Sequence, residues 1–162
     1  MNLEQALQIV SETDPGMVRS HNEDSVASDG SRGLVVLADG MGGYNAGEVA
    51  SGMATTVIVT EMQNALDRRL SFDVDPKTGQ SQAQKLLRDH IARANTSIYQ
   101  ASQSQPKYAG MGTTLVVALF HDNKMTVAHI GDSRLYRVRA EVLKQITKDH
   151  SLLQEQIDSG LI

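Results

Sequence analysis

A chain of 162 residues, 40% of them hydrophobic, carries enough apolar material for the core of one ordinary domain. Its 15 basic and 19 acidic side chains are interspersed and leave a formal charge of -4, so no basic strip offers itself to a nucleic-acid backbone. With no cysteine there is no disulfide, no thiolate metal ligand and no cysteine nucleophile. No apolar run approaches the roughly 20 residues that span a bilayer, and the opening MNLEQALQIV lacks the basic and apolar regions of a signal peptide. A cytoplasmic protein without a membrane partner is expected. The five histidines, His21, His90, His121, His129 and His150, form no close ligand pair of the zinc-protease kind.

In chain order, residues 6–13 and 24–29 read as short strands around the turn at Thr13-Asp14-Pro15-Gly16, whose Pro-Gly step suits type II. Residues 33–39, GLVVLAD, are a buried-strand run that ends on an acid and meets the glycines of GMGG. Asn45 with Glu48 makes a capping box, and Ala54, Val57, Ile58, Met62, Ala65, Leu66 and Leu70 recur every three or four residues, predicting a helix over about 46–69. SFDVDPKTGQ is an exposed loop, after which Ser81 and Gln84 cap a second helix with the stripe Ala83, Leu87, Ile91, Ala94, Ile98 and Ala101.

From Gly112 the period changes. TTLVVALF, MTVAHI, RLYRV and VLKQI read as an antiparallel meander broken at His121-Asp122-Asn123 and Gly131-Asp132-Ser133. Ser151 and Gln154 then cap a short helix that Gly160 can end. Strands, helices and strands in blocks predict an α+β layered domain and not a parallel doubly wound sheet.

Three acids stand where a strand meets a turn: Asp24, Asp39 and Asp132. Carboxylate and carbonyl oxygens suit the hard cations magnesium and manganese, and two such ions about 3.5–4 Å apart can activate a water against phosphorus. Asp39, followed by Gly40, fits a bridging place, and glycines at 40, 42 and 43 leave the space open. Taken singly, Asp24 and Asp132 read as turn or surface acids, and Asp39 reads equally as a strand-end acid or a ligand. Arg19 alone is a solvated charge whose guanidinium fork is also shaped for phosphate. His129 reads as a partly buried strand residue, His150 as a helix-cap partner, and Met41, Met53 and Met62 as packing. The glycine run is not a nucleotide fingerprint, because Asn45 stands where the third glycine of G-x-G-x-x-G would be, and no GK[ST] is present.

Five ordered blocks, GMVRSHNEDS (16–25), VLADGMGGYNAGEVAS (36–51), MGTTLVVALF (111–120), VAHIGDSRLYRVR (127–139) and ITKDHSLLQEQIDSG (146–160), make the chain resemble the metal-dependent protein serine/threonine phosphatases of type 2C in their bacterial form. The resemblance runs through nearly the whole chain. It implies an antiparallel β-sandwich flanked by helices, in four layers α-β-β-α, and hydrolysis of phosphoserine or phosphothreonine by metal-bound hydroxide without a phosphoenzyme. It implies two Mn2+ or Mg2+ ions bridged by Asp39, Gly40 as a carbonyl ligand, Asp24 holding metal-bound water, and Asp132 supporting a third, weaker ion. It further implies that Arg19 holds the substrate phosphate and that Glu23 assists beside the metal waters. The implied partners are a phosphoprotein substrate and a paired serine/threonine kinase.

The chain departs from that pattern twice. Met41 stands where animal relatives carry histidine, which moves leaving-group protonation elsewhere. The later family blocks D-G-[LV]-[ST]-[DE] and G-x-D-N, which supply further metal-binding aspartates, do not occur in residues 1–162. The expectation is therefore a single type 2C catalytic domain, truncated at its C-terminus and incomplete in its sandwich. Open sheet edges would favour a dimer. The alternative is a catalytically inactive phosphoprotein-binding or regulatory module, or an inactive fragment.

Overall fold

The computed structural model describes residues 3–43, 46–66 and 74–161. After a single helical turn, α1 (Leu3–Ala6), come β1 (Asp24–Asp29), β2 (Leu34–Met41), α2 (Ala46–Leu66) and α3 (Gln82–Ser104). The short β3 (Gly112–Thr113) leads into β4 (Leu115–His121) and β5 (Lys124–Ile130), then the hairpin β6 (Tyr136–Arg139) and β7 (Val142–Gln145), and finally α4 (Leu152–Asp158). Every strand pair is antiparallel. The main sheet runs β1-β2-β4-β5 with β3 on the end of β2, and β6-β7 form a second, two-stranded sheet. The α+β class with antiparallel sheets and outlying helices is as predicted. Among the described residues, no helix is long and apolar enough to cross a membrane.

Side-chain alternation explains the layering. Leu34, Val36 and Ala38 of β2 are fully buried, as are Val117 and Leu119 of β4, and they pack against Ile58 and Met62 of α2 and Leu87 of α3. The intervening residues face the other way, where Leu37 remains 39% exposed. Its continuous apolar run suits a strand covered on both faces, but the hairpin β6-β7 covers that second face only in part. Val138 and Leu143 of the hairpin are themselves mostly exposed.

One predicted strand is absent. Residues 7–15 carry no regular structure, and Val10 is 83% exposed. A period-2 pattern becomes a strand only beside a neighbour that takes up its backbone hydrogen bonds, and no described strand pairs with this segment, although Ile9 lies near Gly30 at the end of β1. The turn that follows lies at residues 16–18 and not over 13–16 as predicted; Gly16 has the positive φ expected there, +76°, and its N–H donates to Asp14 Oδ1 at 2.7 Å.

The helix signals hold. Ser81 Oγ accepts the Gln84 N–H at 3.2 Å while Gln84 Oε1 accepts the Ser81 N–H at 2.8 Å, and Ser151 caps α4 through the Gln154 N–H at 3.2 Å. The proposed cap Asn45 and the stripe residue Leu70 lie outside the described residues. On α3 the buried row contains His90 as well as the predicted Ala83, Leu87 and Ala94. His150 does not cap α4. Its Nδ1 accepts the Gly131 N–H at 3.4 Å, and its ring stacks on His129 at 4.6 Å.

Candidate functional site

The β1–β2 register places Asp24 directly opposite Asp39. Each is held from behind by its own backbone. Asn22 Oδ1 accepts the Asp24 N–H at 3.0 Å, an Asx turn that ends the RSHNED segment and starts β1. Asp39 is tied on both sides: its N–H donates to Thr114 Oγ1 at 3.1 Å, and its carbonyl accepts the Thr114 N–H at 2.9 Å and the Thr113 hydroxyl at 3.0 Å. With the backbone fixed in this way, the carboxylate is left to face Asp24.

The glycines make this approach possible. The Gly40 N–H donates to the Glu23 carbonyl at 3.1 Å, and a side chain at Gly40 would run into the Gly47 carbonyl of α2. A Cβ at Gly47 would lie 2.6 Å from Glu23 Oε1. The start of β1, the end of β2 and the first turn of α2 therefore meet backbone to backbone, with Ser51 Oγ donating to the Glu23 carbonyl at 2.6 Å. The Glu23 carboxylate lies against Gly47, where the positive end of the helix dipole favours it.

Charge concentrates at the Asp39 carboxyl. Partial burial pushes its pKa above the ordinary carboxylate range, and so does the Asp24 carboxylate, which also shares a hydrogen bond with it. Arg19 opposes that rise and Asp132 adds to it. The four residues Arg19, Asp24, Asp39 and Asp132, far apart in sequence, are thus within electrostatic reach at one end of the sheet. Asp24 and Asp39 are in contact; Asp132 stands off on the exposed Gly131-Asp132-Ser133 loop. Met41, 56% exposed, closes β2 beside them.

Among the described residues, no three acidic or histidine side chains converge closely enough to hold an ion by themselves. Two carboxylates facing each other nevertheless fit a divalent cation, which would offset their mutual repulsion, and their hard oxygens suit magnesium or manganese.

The arrangement has close counterparts. Residues 18–157 match the protein phosphatase 2C family model. The chain belongs to the protein phosphatase 2C family. It is 37% identical over 153 residues to the serine/threonine phosphatase stp of Listeria monocytogenes, covering 93% of this chain and 57% of that protein. It is 41% identical over 156 residues to the serine/threonine protein phosphatase PstP of Mycobacterium tuberculosis, covering 96% of this chain and 27% of that one. The crystallised PstP catalytic domain, in complex with two manganese ions, superposes with a TM-score of 0.74 at 38% identity, covering 93% of this chain and 59% of that one. This protein phosphatase 2C chain therefore spans little more than half of the catalytic units it matches.

Several polar residues that build the site escape a sequence reading. Thr113 and Thr114 read as the first residues of an apolar strand, yet their hydroxyls hold Asp39 and reach Ser133. Buried Ser51 and Thr55 of α2 are similar: Thr55 Oγ1 and Ser25 Oγ share a hydrogen bond of 2.7 Å that fastens the helix to β1. The only signal was two adjacent hydroxyl residues at the head of an otherwise apolar run.

Proposed function

We propose that this chain acts as part of a type 2C catalytic domain that hydrolyses phosphoserine and phosphothreonine in phosphoproteins, with the Asp24–Asp39 pair as the heart of its metal centre. That facing pair, with a raised Asp39 pKa, is the observation that carries the reading. In this reading Asp39 and the Gly40 carbonyl would hold two Mn2+ or Mg2+ ions, Asp24 would act beside them through water, and Asp132 would attend a weaker third ion. Bound ions would supply Lewis acidity and an activated water. Arg19, exposed at the same end of the sheet, holds the substrate phosphate by its guanidinium fork and offsets acidic charge that would repel the phosphate. Glu23, lying on Gly47, supports the join between β1 and α2 that sets the position of Asp24.

Manganese-dependent hydrolysis of p-nitrophenyl phosphate and of a phosphothreonine peptide tests this. Asp39→Ala is expected to abolish both, and undiminished turnover in that variant would overturn the mechanism.

A second reading is a binding module that recognises phosphoprotein through Arg19 without turnover. The small number of converging acids among the described residues favours it. Calorimetry separates the two: phosphopeptide binding that ignores manganese supports the module, and manganese binding with turnover supports the enzyme. We also propose self-association. The hairpin β6-β7 leaves strand edges without a described strand partner, with Val138, Val142 and Leu143 mostly exposed. Light scattering that shows a monomer at high micromolar concentration would overturn it.

A further inference from the structure

Asp39 lies near the end of β2, and Asp132 lies in the loop two residues beyond Ile130, whose pairing with Leu115 is the last of the β4–β5 ladder, so the ladder places the start of that loop and other contacts place Asp132 itself. The Gly131-Asp132-Ser133-Arg134 loop is tied to the chain that follows it: the Gly131 carbonyl accepts the His150 N–H at 3.0 Å, and Arg134 Nη2 meets Asp149 Oδ2 at 2.6 Å. These bonds hold the loop together, and the Leu115–Ile130 pair brings its start beside the head of β4, but neither ties Asp132 and Ser133 to β2 at a fixed distance. Thr114 sets that distance. It is 4% exposed, and its Oγ1 accepts the Asp39 N–H at 3.1 Å while sharing a 2.7 Å hydrogen bond with Ser133 Oγ. Its methyl lies directly under the loop, for a Cβ at Gly131, whose φ is +95°, would be 2.7 Å from Thr114 Cγ2.

Resting on the metal reading above, we propose that the Thr114–Ser133 hydrogen bond is the positioning link that fixes the Asp132 carboxylate relative to Asp39. The hydroxyl chemistry fits the task. One lone pair of Thr114 Oγ1 is occupied by the Asp39 N–H; its proton and its other lone pair remain, so Ser133 can accept from it or donate to it. One buried oxygen thereby touches the backbone of one metal-binding acid and the side chain next to another. Outer partners of this kind orient ligands without touching the ion, and their loss weakens metal affinity by about tenfold or more.

The test is titration of the protein with Mn2+, followed by calorimetry and by the free-ion electron paramagnetic resonance signal. Ser133→Ala, at a partly exposed loop position, removes the link without opening the core. It is expected to weaken Mn2+ binding by about tenfold in the parent and to have no further effect in an Asp132→Ala background. Thr114→Val is expected to bind at least as weakly as Ser133→Ala, with Thr114→Ser restoring the parent affinity. Parent-like binding by Ser133→Ala, or an equal loss with and without Asp132, overturns the inference. Failure of the underlying reading looks different: there Asp39→Asn itself would leave Mn2+ binding unchanged.

Discussion

Asp24 and Asp39 stand directly across from each other in the β1–β2 ladder, and the Asp24 carboxylate raises the pKa of the Asp39 carboxyl. Like charges opposite one another on adjacent strands are destabilising, so this pairing works against the fold. Because the Asp39 pKa is raised in the folded protein, its stability contribution is complete below the ordinary value of 3.8 and is lost as pH rises through the folded value. At neutral pH the metal-free protein carries that cost. Asp24→Asn is therefore expected to stabilise the metal-free protein by about 0.5–1 kcal/mol at pH 7 and to weaken Mn2+ binding. Urea unfolding with and without MnCl2 checks both, and an Asp24→Asn protein less stable than the parent without metal would contradict the repulsion.

The meeting of β2 with α2 yields a glycine series. Gly40 and Gly47 each leave no room for a Cβ, whereas at Gly43 nothing among the described residues lies within 4 Å. Overfilling a close backbone contact costs about 1–3 kcal/mol. Gly40→Ala and Gly47→Ala are expected to lose at least that much, with Gly47→Ala also displacing the Glu23 carboxylate, while Gly43→Ala should unfold like the parent. Thermal unfolding of the three variants measures this directly; equal midpoints for Gly40→Ala and Gly43→Ala would refute the contact.

The same glycines show how much was legible in advance. LADGMGG announced an open, acid-bearing strand end because glycine and aspartate declare themselves locally, and Ser81 and Ser151 announced helix starts for the same reason. Partners that only the fold supplies were silent. Residues 7–15 have a strand's alternation, but no local signal reports that no described strand pairs with them. Thr114 has a strand's propensity, and only the packing of β4 against the Gly131 loop reveals its second bond. His90 has no apolar character, and its burial is decided by α2 lying across α3.

Acid stability should depend on Asp29. Burial alone would raise its pKa, but hydrogen bonds from Ser31, Gln63 and Arg32 outweigh that and hold the carboxyl at about 2. Gln63 Nε2 reaches it from α2 at 2.9 Å and Arg32 Nη1 from the β1–β2 turn at 2.8 Å. A lowered folded pKa contributes stability above 3.8 that is lost as pH falls toward about 2. Asp29→Asn is expected to cost about 1–2 kcal/mol between pH 5 and 7, and the gap from the parent should narrow steadily below pH 4. Denaturant titrations at several pH values decide it; a gap that stays constant to pH 2.5 would rule out the charge as its source.

His90 predicts a second pH dependence, in a different window. Its ring is buried between α2 and α3, with Nδ1 3.6 Å from Glu61 Oε2, and neither nitrogen has a hydrogen-bond partner among the described residues. Burial lowers its pKa; Glu61 and Asp89 pull it up, and Arg93 pushes it further down. The neutral ring is the folded form, so its contribution is complete above the ordinary value of 6.5 and is lost as pH falls through the folded value. His90→Leu, similar in size and without an unpaired nitrogen, is expected to stabilise the protein by about 1 kcal/mol at pH 7 and by more at pH 5. His121, whose pKa burial also lowers, is present in both proteins and gives both the same underlying slope. Parallel stability curves for parent and His90→Leu between pH 7.5 and 5 would show that the α2–α3 seam tolerates a charged ring.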